Sequence, residues 1–383
     1  MPAEPTAARF RLPIYKGPDR AGDSLPKPPG PLRFEALPRK GLDDPSRYWP
    51  HPEVMAAVNT ALLLGLPLIV TGEPGCGKTQ LGEAIAYALG LSHERFETKS
   101  TSQARDVLYV YDVVGRFHAK EAGLGSAEAD ARHFIDYTAL GKAILLAHEA
   151  ADIGHLLPTG AGSFRHPGAP VRSVVVIDEV DKASRDFPND LLTEIDRMYF
   201  RVPELGAEGI RGTPGAGGRD KEIPPSLRPI VIFTSNSEKK LPDAFLRRCV
   251  FVHMPEPRRE ELAAIVAARL ADAAVAVGFS PEAVERSPLV DDAISLYMHL
   301  RRPNAGLAKR PGLAELLNFL HALVGHGADP AKGLAGEQAP LAVAALVTLC
   351  KTVEDRARTV PSGPALADGL FRAWQRERTE PRT

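Results

Sequence analysis

Cysteine is scarce in this chain of 383 residues: Cys76, Cys249 and Cys350 lie far apart, and none stands in C-x-x-C spacing. That argues against a disulfide framework or a cysteine-built metal site and suits a reducing compartment. An excess of one charge is lacking too. The formal charge of −1 provides no global attraction to nucleic acid or to an anionic membrane. No cluster of basic residues interleaved with aromatics stands out, and no separate DNA-binding domain. Long apolar runs are also missing: Ala61 to Val70 is too short to span a bilayer and is broken by Pro67. Met1-Pro2-Ala3-Glu4 has neither the basic start nor the apolar core of a signal peptide, so a cytoplasmic location is expected. His118, His133, His148, His155 and His166 show no H-x-x-x-H spacing and are expected to face solvent rather than hold a metal.

What is present starts with enough apolar content, 44%, for a large core, in a length that suggests two or three domains. Gly72-Glu-Pro-Gly-Cys-Gly-Lys-Thr79 fits G-x-x-x-x-G-K-[ST], a complete P-loop. Pro67 to Thr71 before it reads as a buried strand. Gln80 to Leu89 after it places Leu81, Ile85, Ala88 and Leu89 at helical spacing. Strand, glycine loop and helix start form the context that the motif requires. Glycines let backbone N–H groups wrap phosphate oxygens, and the helix dipole favours the negative charge. In such a loop Lys78 reaches the β- and γ-phosphates of ATP and the Thr79 hydroxyl goes to Mg²⁺.

Ser173 to Glu179 is a β-branched run ending in two carboxylates, the pattern of a central parallel strand. Asp178 and Glu179 emerge at its carboxyl end, where open α/β sheets bind ligands. Asp178 is suited to hold Mg²⁺ and Glu179 to polarise an attacking water. Pro229 to Asn236 repeats the strand pattern, with Asn236 able to touch the γ-phosphate or its water. A short helix at Leu241 to Cys249 then ends in Arg247 and Arg248, and Lys309-Arg310-Pro311-Gly312 opens a further amphipathic helix.

From about Tyr48 to Asp355 the chain resembles the AAA+ ATPases, in particular the MoxR-like group with its CoxD-type and NorQ/CbbQ-type members. The resemblance rests on Gly72–Thr79 as Walker A, Val174–Glu179 as Walker B and Asn236 as sensor 1. It implies an α/β P-loop core with a C-terminal all-α lid and binding of ATP with Mg²⁺. Nucleotide contacts fall to Gly75, Cys76, Gly77, Lys78, Thr79 and Gln80, metal contacts to Thr79 and Asp178. Arg248, with Arg247 beside it, corresponds to the arginine finger; surface ion pairs are the plainer reading of that pair. Lys309 or Arg310 corresponds to sensor 2. Cys76 is either open to oxidation or simply a small residue in the loop. A ring, hexameric by resemblance, is implied because the finger serves the neighbouring subunit's ATP.

The expected organisation is a proline-rich arm (1–47), a nucleotide-binding domain (48–255) with insertions at about 112–136 and 200–228, a helical lid (256–360) and a tail (361–383). The arm is either a flexible tail or a strap on a neighbour anchored by Phe10, Leu12, Ile14 and Tyr15. Pro52 to Leu64 reads as a helix with Val54, Val58 and Leu62 on one face, and Phe96 to Thr98 as a short strand. In the first insertion Phe117 either grips a polypeptide at a central pore or packs on the core with Tyr109 and Tyr111. The second insertion, with Tyr199 to Pro203 as a strand and a glycine-rich break at 212–218, resembles a presensor 1 hairpin. Lid helices are expected at 257–270, 288–300, 312–325 and 339–358, the last mostly buried, with one more at Leu366 to Arg378. The resemblance implies a chaperone-like remodeller of a partner protein, often one with a von Willebrand A domain. A nucleic-acid motor and an ATP-gated signalling switch in a conflict or regulatory system are the alternatives.

Overall fold

A continuous β-branched run has no polar face to offer water, so it must sit inside a sheet covered on both sides. The structure, a computed structural model, describes residues 39–121, 130–157, 164–206, 223–236, 241–276, 284, 287–360 and 369–379. It divides into two compact units: Pro50–Pro255, and the described residues up to Trp49 joined with those from Glu256 onward.

In the first unit the strands are β1 (Leu68–Thr71), β2 (Ser92–Glu97), β3 (Tyr109–Tyr111), β4 (Ile135–Tyr137), β5 (Ser173–Asp178), β6 (Ile230–Ser235) and β7 (Val250–His253). Five of them form a parallel sheet in the order β2-β5-β6-β1-β7. The inner strands β5, β6 and β1 are buried along their whole length, as their composition requires. The outer strands β2 and β7 are only partly covered. That difference explains why β2 reaches back to Ser92, well before the expected Phe96: an edge strand tolerates the polar run Ser-His-Glu-Arg.

The P-loop helix Lys78–Leu89 packs on β5 through Leu81, Gly82, Ile85 and Ala86. Ala88 and Leu89, expected on its buried face, are exposed because the last turn runs past the sheet to Gly90. At Gly82 the approach is so close that a Cβ would lie 2.1 Å from Val176 Cγ2. Gly82→Ala should gain up to about 1 kcal/mol of helix propensity. The overpacking should cost about 1–3 kcal/mol. A net loss of stability in urea unfolding is expected, largely recovered when Val176→Ala is added. A stabilised single variant would contradict this packing.

β3 and β4 pair antiparallel, Tyr109 opposite Tyr137, as a separate ribbon. Both tyrosines are buried, and the Tyr137 hydroxyl donates to the Leu156 carbonyl at 2.8 Å. The first insertion joins these strands. Its described residues include the helix Val113–Glu121, where Phe117 is 59% exposed, and the 3-10 turn Ala131–Phe134; of the three aromatics only Tyr109 is fully in the core. In the second insertion the alternation at Tyr199 to Val202 is one of burial, with a single β-bridge at Arg201. Phe200 and Val202 are buried, but Pro203, which lacks an N–H for a ladder, opens the short 3-10 turn Pro203–Leu205. The glycine-rich break at 212–218 lies outside the described residues, as do residues 1–38 of the arm.

The second unit is helical. Arg259–Ala276, Pro288–Arg301 and Leu313–Gly325 enclose a core with Leu262, Val266, Leu296, Leu300, Phe319 and Leu323. The expected helix 339–358 is interrupted: Ala339–Ala345 passes through a 3-10 turn, and a new helix, Val353–Thr359, starts at Thr352. Thr352 is the cause, since its hydroxyl accepts from the Asp355 N–H at 3.0 Å and caps that start. The segment expected as a tail contributes Leu370–Thr379, whose Trp374 is fully buried and donates to Ser295 Oγ at 3.1 Å. Before Trp49, Leu42 is buried in the same core, and Arg269 donates to the carbonyls of Leu42 and Asp44 at 2.9 and 2.8 Å.

Candidate nucleotide-binding site

Strand β1 ends at Thr71, and the chain turns through the loop into the helix starting at Lys78. Gly75 (φ +77°) and Gly77 (φ +95°) take left-handed conformations that a side chain would strain. Lys78 is buried, and its ammonium donates to the carbonyls of Gly72 and Glu73 at 2.9 and 2.8 Å. The cation therefore sits folded over the loop, ready to exchange two carbonyls for phosphate oxygens. Cys76 packs its sulfur 3.5 Å from the Met254 sulfur, and burial pushes its thiol pKa up. A thiol so held is a poor thiolate, which favours the packing reading over oxidation. Gln80, half-buried, follows in the first helical turn.

Asp178, at the end of β5, is the hub. The Thr79 hydroxyl donates to its two oxygens at 2.9 and 3.0 Å, so Walker A and Walker B meet directly. Two further partners escaped the sequence reading. The Thr234 hydroxyl, on neighbouring β6, donates to Asp178 and accepts from the Glu179 N–H at 2.8 Å. The Arg95 guanidinium, on β2, donates to Asp178 Oδ2 at 2.7 Å. Thr234 lies two residues before Asn236, hence on the same strand face, and that spacing was a usable signal. Arg95 offered none, because a cation in a polar strand reads as solvated surface. Thr79 and Asp178 together are hard oxygen donors, a set that fits Mg²⁺.

Glu179 turns the chain out of β5 with φ +54° and ψ +48°, a left-handed conformation costing about 1 kcal/mol or more for a residue with a side chain. Its Oε1 accepts from Asn236 Nδ2 at 3.2 Å, while Oε2 pairs with Lys182. That carboxylate raises the Lys182 pKa above the ordinary lysine value. The Asn236 N–H donates to Asp181 at 3.1 Å, so both ends of Asn236 are tied to the acidic turn. Strand order makes this possible, since β6 lies between β5 and β1.

Other expected residues are not joined to this cluster by any described contact. Arg247 and Arg248 are exposed on the turn after Asp243–Leu246, which Phe245 anchors against Phe233 with ring centroids 4.8 Å apart. Arg248 lies 3.5 Å from Asp196, an ion pair within the chain. Lys309 and Arg310 belong to the helical unit and are exposed; buried Asp355 accepts from the N–H groups of Ala308 and Lys309 at 2.7 and 3.0 Å. Of the five histidines, His148 departs from expectation: it is buried, its ring 2.8 Å from the Ile144 carbonyl. Among the described residues no group of side chains could hold a metal through histidine, cysteine and carboxylates alone, and no helix is long and apolar enough to cross a membrane.

Residues 67–249 match the family described as the AAA domain, dynein-related subfamily. This stretch is similar to AAA+ ATPase domains. The unit thus has the AAA+ P-loop fold, with a parallel sheet flanked by helices, and the match supports ATP binding and hydrolysis. No curated protein matches the chain. Solved structures similar to it include RuvB from Thermotoga maritima in three forms. A proline-to-glycine mutant is 15% identical with a TM-score of 0.39, covering 82% of this chain and 79% of that one. A threonine-to-valine mutant is 14% identical with a TM-score of 0.38, covering 79% and 69%. The same values hold for the protein described as a Holliday junction branch migration motor.

Proposed function

We propose that this chain is a MoxR-like AAA+ ATPase that uses ATP hydrolysis to remodel or activate a partner protein. Lys78 would bind the β- and γ-phosphates, with the Gly75, Cys76 and Gly77 amides around them. Thr79 and Asp178 would hold Mg²⁺, which supplies charge neutralisation at the phosphates. Glu179 would take the proton side of water attack, its carboxylate steadied by Asn236 at 3.2 Å. Arg248, with Arg247, would complete the site of a neighbouring subunit in a hexameric ring, and Lys309 or Arg310 would sense the nucleotide from the lid. The protein would work in the cytoplasm, on a partner with a von Willebrand A domain.

One observation carries the choice of a protein substrate. The helix Val113–Glu121 presents Val113, Val114 and Phe117 to solvent, each at least 59% exposed. The neighbouring cation, Arg116, is turned back onto the hydroxyl and ring of Tyr111. An apolar face of this kind suits a polypeptide and has little to offer phosphates. The test is ATP turnover with and without candidate partner protein, and with duplex DNA at low and moderate salt. Stimulation by protein, lost in Phe117→Ala while basal turnover persists, is expected. A salt-sensitive rise on adding DNA would overturn the reading in favour of a nucleic-acid motor.

A further inference from the structure

One guanidinium nitrogen lies between two carboxylates at the edge of the sheet. Arg95 Nη2 is 2.7 Å from Asp178 Oδ2 and 3.0 Å from Glu97 Oε1. The two carboxylates differ sharply in setting. Asp178 is buried and also receives the hydroxyls of Thr79 and Thr234, whereas the Glu97 side chain is 71% exposed. The Arg95 side chain is itself 39% exposed, so solvent leaves it room to move. Register places Glu97 directly opposite Asp178, so the two acids share one rung and one arginine can serve them in turn.

We infer that Arg95 is the resident counter-cation of Asp178 and is exchanged onto Glu97 when a metal–nucleotide complex enters. The inference rests on the proposed ATP site and adds a control that the site's own motifs do not contain. A buried carboxylate with three donors is costly to leave uncompensated, and Arg95 supplies the positive charge while nucleotide is absent. A divalent cation held by Thr79 and Asp178 would bring a second positive charge beside the guanidinium. Like charges at such range repel strongly in a partly buried site, so metal and Arg95 compete for one carboxylate. By linkage, Arg95 weakens metal binding by the same factor that metal weakens the Arg95–Asp178 pair. Glu97 makes the exchange feasible, because the displaced guanidinium already touches its next partner. Arg95 is thus a positioning residue, acting on Asp178.

The experiment is equilibrium binding of a fluorescent, non-hydrolysable ATP analogue to the full chain, titrated with Mg²⁺ at fixed nucleotide. Arg95→Gln keeps length and hydrogen bonding but removes charge. It should lower the Mg²⁺ concentration at half-saturation by about tenfold, with affinity at saturating Mg²⁺ unchanged. Glu97→Gln, which removes the alternative partner, should raise that midpoint. Arg95→Lys, which keeps the charge, should stay near wild type. An unmoved midpoint in Arg95→Gln would overturn the exchange. So would weakened nucleotide binding at every Mg²⁺ concentration, which would make Arg95 a phosphate ligand or a structural support. Absence of binding by the wild-type chain would fail the ATP-site reading itself, a result distinct from both.

Discussion

Lys78→Ala should weaken ATP binding by at least about a hundredfold, in line with truncating one member of a buried charge pair. In the structure the ammonium is already desolvated over the loop, held by the Gly72 and Glu73 carbonyls. Little side-chain ordering therefore remains to be completed when phosphate arrives, and most of the charge-assisted bonding is available to the ligand. The same two hydrogen bonds set a control. Alanine releases two carbonyls at the loop surface, so a modest fall in stability accompanies the loss of binding. Fluorescent-nucleotide titration together with a thermal melt separates the two effects. A folded variant with near-normal affinity would show that the loop does not bind phosphate through Lys78.

Glu179→Gln should reduce turnover by about 10²–10⁴, the range for loss of a general base, while ATP stays bound. The amide is isosteric and can still accept from Asn236 Nδ2 through its oxygen. What disappears is the charge and, with it, the Lys182 pair. That pair is half-exposed and contributes little to stability. The left-handed turn at Glu179 is a backbone property that glutamine preserves. Desalting the variant after incubation with ATP and Mg²⁺, then identifying the retained nucleotide, is the check. Uncleaved ATP is expected; ADP would mean that another residue positions the water.

The inner sheet was readable because burial on two faces leaves only one composition open to a strand. β1, β5 and β6 carry it, and Lys78, Thr79, Asp178 and Asn236 follow from where those strands end. Legibility failed where a residue's partner comes from another element. Arg95 reads as a surface cation until the pairing of β2 with β5 sets it beside Asp178. Lys182 reads as part of a charged turn until the backbone reversal at Glu179 brings their side chains together. The apolar stretch at 339–358 satisfies helical periodicity throughout, and only the cap at Thr352 breaks it. At Tyr199 to Val202 the alternation is legible as alternate burial, with a β-bridge at Arg201, while the rest of that insertion lies largely outside the described residues. The arginine pair was visible as a pair, but its companion Asp196 lies on a helix some fifty residues earlier, beyond any local pattern.

In the proposed function the cluster around Asp178 hydrolyses ATP with Glu179 as its base. Phosphate release by the purified wild-type chain and by Glu179→Gln, measured side by side with ATP and Mg²⁺, tests it most directly. Release by the wild type that depends on Mg²⁺ is expected, and it should be all but absent in the variant, although both bind ATP. Equal release by the two proteins, or binding without release in the wild type, would contradict it.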